Sequence, residues 1–222
     1  MKKLITASLF AFTLALTGCQ NSPTVTQKSP TVLQNAAQAA TPVRVGSPAP
    51  EFTATDSNGK RHKLSDFKGK TVVLEWTNHQ CPFVRKHYES NNMQQLQKDA
   101  TGKGVVWLSV ISSAQGQQGY VAPQEANELT KTRNASPTAV LLDPSGEIGR
   151  LYQARTTPHM FVIDKKGVLQ YAGAIDDKPS TNAADVKSAK NYLSDAVNSV
   201  LQGKAVANST TQPYGCSVKY GS

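Results

Sequence analysis

Apolar residues along the chain follow two different periods. Near-continuous runs rich in β-branched and aromatic residues occur at 71–76 (TVVLEW), 104–111 (GVVWLSVI) and 139–142 (AVLL). Such runs predict strands covered on both faces. The third run ends at Asp143-Pro144-Ser145-Gly146, a turn sequence. Segments 51–55 and 61–64 flank Asp56-Ser57-Asn58-Gly59, and 160–164 and 168–172 flank Lys165-Lys166-Gly167; each pair predicts a hairpin. Helical spacing marks the intervals between strands. Segment 82–99 opens on Pro82, favoured at a first helical position, and puts Val84, Tyr88 and Leu96 on one face. Segment 123–133 is a second predicted helix. Segment 184–201 is a third, with Val186, Ala189, Leu193, Ala196, Val197 and Val200 turned inward. Strands alternating with helices predict an α/β fold, a central mixed β-sheet flanked by helices.

The chain ends follow different rules. Lys2 and Lys3 precede a 13-residue apolar run at 4–16, too short for an ordinary membrane-spanning helix and suited to the core of a signal peptide. It leads into Leu16-Thr17-Gly18-Cys19, which resembles the bacterial lipobox. That resemblance implies cleavage of residues 1–18 and lipidation of Cys19, with several acyl chains for stable anchoring. Gln20 in place of an aspartate points to the outer membrane, facing the periplasm. Residues 19–43 have almost no large apolar group and read as a flexible tether. The folded domain is expected over 44–202, followed by a tail, 203–222, that carries Cys216. The formal charge of +9 falls to +7 once Lys2 and Lys3 are removed with the leader. The basic residues are scattered, which argues against nucleic acid as a partner.

With Cys19 consumed by lipid, two thiols remain in a compartment that permits disulfides. Cys81 falls between a buried strand and the helix that begins at Pro82. The free amides and dipole of a helix start stabilise a thiolate, the attacking species in exchange and peroxide chemistry. Arg85 and Lys86 would add positive charge if turned toward the sulfur. Glu75 lies inside an apolar strand, where burial raises the pKa of a carboxyl and suits it to proton transfer near the thiol. Thr156-Thr157-Pro158 precedes the apolar run 160–163, so Pro158 is a candidate cis residue. Read on its own neighbourhood, Cys81 also fits a buried structural cysteine.

Three segments are similar to the redoxin (AhpC/TSA-like) branch of the thioredoxin superfamily: VGSPAPEFTATDSNGKRHKLSDFKGK, TVVLEWTNHQCPF and TTPHMFVIDKKGVLQYAG. The resemblance spans 46–202 and implies a thioredoxin-like fold with an N-terminal redoxin hairpin. It also implies Cys81 as nucleophile, Glu75 as the buried acid and Pro158 as the cis-proline. Thr157, Pro158, His159 and Asn78 are then expected at the substrate groove, with Arg85 and His159 stabilising the thiolate. Two departures stand out. Val84 replaces the second cysteine of a Cys-x-x-Cys pair, and Asn78 stands three residues before Cys81, where peroxiredoxins place a threonine. Cys216 resembles a C-terminal resolving cysteine; an inert or intersubunit disulfide is the alternative.

The expected activity is thiol-dependent oxidoreduction of a small peroxide or a protein disulfide, with a thiol electron donor and no cofactor. The competing expectation is a membrane-anchored copper- or partner-binding module, drawing on Cys81 and on His79, His87 and His159; His62 lies in the hairpin region.

Overall fold

The computed structural model describes residues 43–221; the expected leader, Cys19 and the tether up to residue 42 lie outside them. The first hairpin is β1 (Thr53–Asp56) and β2 (Arg61–Lys63). Gly59 turns it at φ 81°, and Asp56 Oδ1 accepts the amides of Asn58 and Lys60, each at 2.9 Å. The central strands are β3 (Val72–Trp76), β4 (Val106–Ile111) and β5 (Ala139–Leu142). A short β6 (Thr156–Thr157) precedes the hairpin of β7 (His159–Ile163) and β8 (Leu169–Gly173). The main sheet has the order β2-β1-β5-β4-β3-β7-β8. Strands β3, β4 and β5 are parallel and the rest pair antiparallel, giving the mixed sheet that the pattern predicted.

Alternation along the strands divides the core in two. Val72, Leu74 and Trp76 of β3 with Val106, Leu108 and Val110 of β4 join Tyr152, Phe161 and Ile163 on one face. Val73 and Trp107 join Met93, Met160, Val162 and Leu193 on the other. Glu75 pairs in register with Ser109, so both project to this second face. Helices α1 (Pro82–Glu89), α2 (Asn92–Gly102) and α5 (Tyr192–Leu201) cover the second face. The short α4 (Glu147–Leu151) adds Ile148 to the first, while α3 (Pro123–Thr132) packs Ala126 beside Val140.

Two predicted helices are each interrupted. The segment 82–99 breaks at Ser90-Asn91, where Asn91 takes φ 60°. Asparagine tolerates that left-handed conformation, and the Ser90 hydroxyl bonds to the His87 carbonyl at 3.3 Å instead of continuing the helix. The segment 184–201 breaks likewise. Ala183–Ser188 is a 3₁₀ turn with no buried residue, leaving Val186 and Ala189 only half-buried. Asp177 ties down Lys190 through a 2.9 Å bond to its amide, and Asn191 then caps α5 by accepting from Ser194 N–H at 2.8 Å.

The last segment crosses the domain as a strap. Thr211 N–H donates to Ala172 O at the β8 edge, at 3.2 Å. Further on, β9 (Cys216–Ser217) pairs antiparallel with β6, Cys216 opposite Thr157. Val218 N–H donates to Arg155 O at 3.0 Å and the Tyr220 hydroxyl to Ala154 O at 2.7 Å.

Candidate active site

Cys81 occupies the N-cap of α1, with Pro82 in the first turn. Asn78 builds the approach. Its Oδ1 accepts Gln80 N–H at 2.9 Å, its Nδ2 donates to Gln118 O at 3.2 Å, and its carbonyl accepts Cys81 N–H at 3.0 Å. Asn78 is buried and faces Gly119, where even a Cβ would come within 2.3 Å of its side chain. Its polar atoms are therefore committed to the loop that leads into Cys81.

Cys81 Sγ is fully buried against two strands. In its protonated form the thiol donates to Thr157 O at 3.1 Å, and Cys216 N–H donates to the sulfur at 3.4 Å. Burial acts to raise the Cys81 pKa, but donors outweigh it: the Cys216 thiol first, then the amides of Val84 and Cys216 and the Thr157 hydroxyl. The net direction is downward. Cys216 is pushed up to about 11 by burial and by its bond to Cys81. Of the two sulfurs Cys81 is the one that ionises more readily, and Cys216 stands as its proton donor. The Thr157–Pro158 peptide is cis, and it carries the carbonyl and hydroxyl that meet the sulfur.

The cations expected near the thiolate go elsewhere. Arg85 turns to solvent, with Nη2 2.8 Å from Glu89 in an i,i+4 pair, both side chains 57% exposed. Lys86 is 1% exposed; its Nζ donates to Lys178 O at 2.6 Å and lies 3.5 Å from Asp176. His159 stacks on Phe161, and its Nδ1 accepts Arg155 N–H at 3.4 Å. Burial, with Arg155 nearby, depresses its pKa to about 3, so it is neutral and brings no charge to the sulfur. His79 is likewise lowered by burial and by Arg133, and its Nδ1 is unpartnered among the described atoms.

Glu75 is enclosed. Its Oε2 accepts from Trp107 Nε1 and Ser109 Oγ, both at 2.8 Å, and from Gln97 Nε2 at 3.2 Å; its Oε1 accepts from the Tyr88 hydroxyl at 2.9 Å. Burial still raises its pKa against these four donors. No hydrogen bond among the described side chains links this cage to Cys81, so the expected proton route through Glu75 has no direct support.

A second buried acid, Asp176, lies under the strap. Asp176 Oδ1 accepts from the hydroxyl of Tyr214, a residue of the strap. That hydroxyl oxygen in turn lies 3.4 Å from Lys86 Nζ and 3.2 Å from His87 Nε2. Asn92 Nδ2 donates to His87 Nδ1 at 2.9 Å, which fixes the proton of a neutral His87 on Nε2. Burial, opposed by Asp176, lowers His87 to about 4. Sequence reasoning did not single out Asp176 or Gly215. The available signal was a tyrosine and a glycine immediately before the tail cysteine. No group of three or more His, Cys, Asp or Glu side chains able to hold a metal occurs among the described residues.

A mixed sheet, an ionisable sulfur at a helix start and a cis-proline opposite it define a thioredoxin-like redoxin. The chain belongs to the AhpC/TSA family, which matches residues 45–172. It is 31% identical over 129 residues, 53% of this chain and 74% of the relative, to the thiol-disulfide oxidoreductase ResA of Geobacillus kaustophilus. It is 27% identical over 147 residues, 65% of this chain and 81% of the relative, to the thioredoxin-like protein YneN of Bacillus subtilis. The fold is shared with an uncharacterized conserved protein of Geobacillus kaustophilus, at TM-score 0.68 and 24% identity over 80% of this chain and 93% of that one. A hypothetical protein of Sinorhizobium meliloti gives TM-score 0.67 and 23% identity over 82% and 97%. The expected redoxin-branch oxidoreductase with a thioredoxin-like fold is therefore correct at the level of family and class.

Proposed function

We propose that this domain catalyses thiol–disulfide exchange on protein disulfides, with Cys81 attacking and Cys216 resolving. The observation that carries the reading is the convergence of the Cys216 amide and thiol on Cys81 Sγ. The relatives described as thiol-disulfide oxidoreductases support it. The Cys81 thiolate attacks one sulfur of a substrate disulfide; the other leaves as a thiolate and takes a proton from solvent. Cys216, once deprotonated, attacks Cys81 in the mixed disulfide and frees the second substrate thiol. The substrate gains two electrons, and the domain is left with a Cys81–Cys216 disulfide that an external thiol donor reduces. Thr157 positions the sulfur through its carbonyl and hydroxyl, beside Pro158. A disulfide is favoured over a peroxide because no cationic side chain among the described residues contacts the sulfur. Delivery to the envelope on a lipidated Cys19, facing the periplasm, belongs to the same proposal; the apolar run 4–16 and the sequence LTGC support it.

The reading is tested with a disulfide-linked protein substrate. Cys81→Ser should lower the exchange rate by roughly a thousandfold. Cys216→Ser should accumulate a mixed disulfide that peptide mass mapping places on Cys81. A Cys81→Ser protein that exchanges at the wild-type rate would overturn the proposal. The mass of the mature N-terminal peptide tests the lipid on Cys19.

A further inference from the structure

The strap lies where a substrate would have to lie. Strand β6 has two residues and is paired by β9, a segment of the chain's own tail. This pairing brings a cysteine, Cys216, against Cys81 on an extended strand, the arrangement by which an added peptide joins a sheet edge. Two further contacts give the strand a sequence requirement. Gly215 has φ 135°, and a Cβ there would come within 2.1 Å of Thr157 O. Backbone oxygen cannot yield as a side-chain tip can, so the residue before the cysteine must be glycine. Tyr214, one position further back, sets its ring edge-on to Phe83 at 5.9 Å and delivers its hydroxyl to Asp176, Lys86 and His87. Asp176, Lys86 and His87 all lie in the domain ahead of the strap, and Lys86 also bonds to Lys178 O, so the walls of this socket for an aromatic hydroxyl belong to the domain and its occupant comes from the tail. Ser217, after the cysteine, points to solvent and meets no such demand.

We infer that residues 213–218 occupy the groove as an internal copy of the substrate strand. The groove selects an extended polypeptide with tyrosine, glycine and cysteine in succession, laid antiparallel on Thr156–Thr157, and the strap must lift for it to enter. This rests on the proposed exchange at Cys81 and adds the sequence class of the substrate and its competition with the tail. In the exchange, the peptide's disulfide sulfur bonds to Cys81 and its former partner leaves as a thiolate. Attack by Cys216 then breaks the Cys81–peptide bond, the peptide leaves as a thiol, and the strap returns to the groove with the new internal disulfide.

The test uses the full reduced chain and the hexapeptide Pro-Tyr-Gly-Cys-Ser-Val, its cysteine joined to thionitrobenzoate so that release is read optically. The same peptide with valine for glycine should react about tenfold more slowly, and with alanine for tyrosine about fivefold more slowly. Lysine in place of the serine should change the rate by less than about twofold. A competitor, Pro-Tyr-Gly-Ser-Ser-Val, should slow the reporter peptide, and Tyr214→Ala in the protein should speed it by about tenfold or more by loosening the strap. A small cysteamine–thionitrobenzoate disulfide serves as the control that needs no groove. If it reacts while all peptides react equally and the competitor has no effect, the selective groove is wrong and the exchange reading stands. If neither it nor any peptide reacts, both readings fall.

Discussion

Glu75 and Asp176 are both buried carboxylates, at 0% and 1% exposure, yet they are closed in different ways. The donors around Glu75 come from β4 and from α1 and α2, all fixed parts of the core. Among the donors around Asp176, Tyr214 comes from the strap and Lys86 from α1. Opening the first site means unfolding the sheet face. Opening the second means only lifting the tail, because Lys86 and Asp176 would remain paired. A core acid so enclosed is a fixture, whereas an acid closed by a terminal segment is a latch. The latch stands beside Cys81, whose sulfur meets the strap at the Cys216 amide.

Substitutions that separate the two sites sharpen this contrast. The largest effect is expected at Glu75→Ala, which leaves the buried donors of Trp107, Ser109 and Tyr88 without their acceptor. It should cost about 3–5 kcal/mol, seen as a fall of roughly 10 °C in Tm. Glu75→Gln keeps the shape and tests the charge. The folded-state pKa of Glu75 is raised above its ordinary 4.5. Its contribution is therefore fully present below about that pH and is lost as pH rises through the raised value. The stability of wild type relative to Glu75→Gln should fall with rising pH above that point in urea titrations; a flat difference would contradict the assignment.

Tyr214→Phe acts on the latch alone. Losing the hydrogen bond to Asp176 is worth about 1.5 kcal/mol, so alkylation of Cys81 should speed roughly tenfold while Tm falls by only about 3–6 °C. Cys216→Ala removes the thiol that donates to Cys81. The midpoint of Cys81 alkylation against pH, expected below 9.0 in wild type, should move upward in the variant. The smallest effect belongs to Arg85→Ala, an exposed pair worth about 0.3–0.5 kcal/mol, with no shift in that midpoint.

The contrast also explains what the sequence revealed. The strands were legible because parallel strands covered on both faces leave unbroken apolar runs, as TVVLEW and GVVWLSVI do. Cys81 was legible because strand, cysteine and Pro82 follow one another in sequence. The helix breaks were not, since Asn91 and Asn191 act through a left-handed turn and a cap that leave the apolar spacing intact. The partner of Arg85 was missed because adjacency to Cys81 says nothing of which way a helical side chain points; the fourth residue on, Glu89, decided it. Asp176 and Gly215 could not be found from periodicity at all. Their roles depend on a tail that comes back over the domain from residues far along the chain.

The strap has a consequence for solubility as well. Strand β8 is the outer strand of the seven-stranded sheet, and Thr210 and Thr211 cover its free side at Ala172. The opposite margin, β2, is three residues long and carries Arg61 and Lys63, a combination that discourages another chain from pairing there. Were the tail to lift as far back as Ser209, it would bare an edge with no such protection and offer a template for self-association into fibrils or clumps.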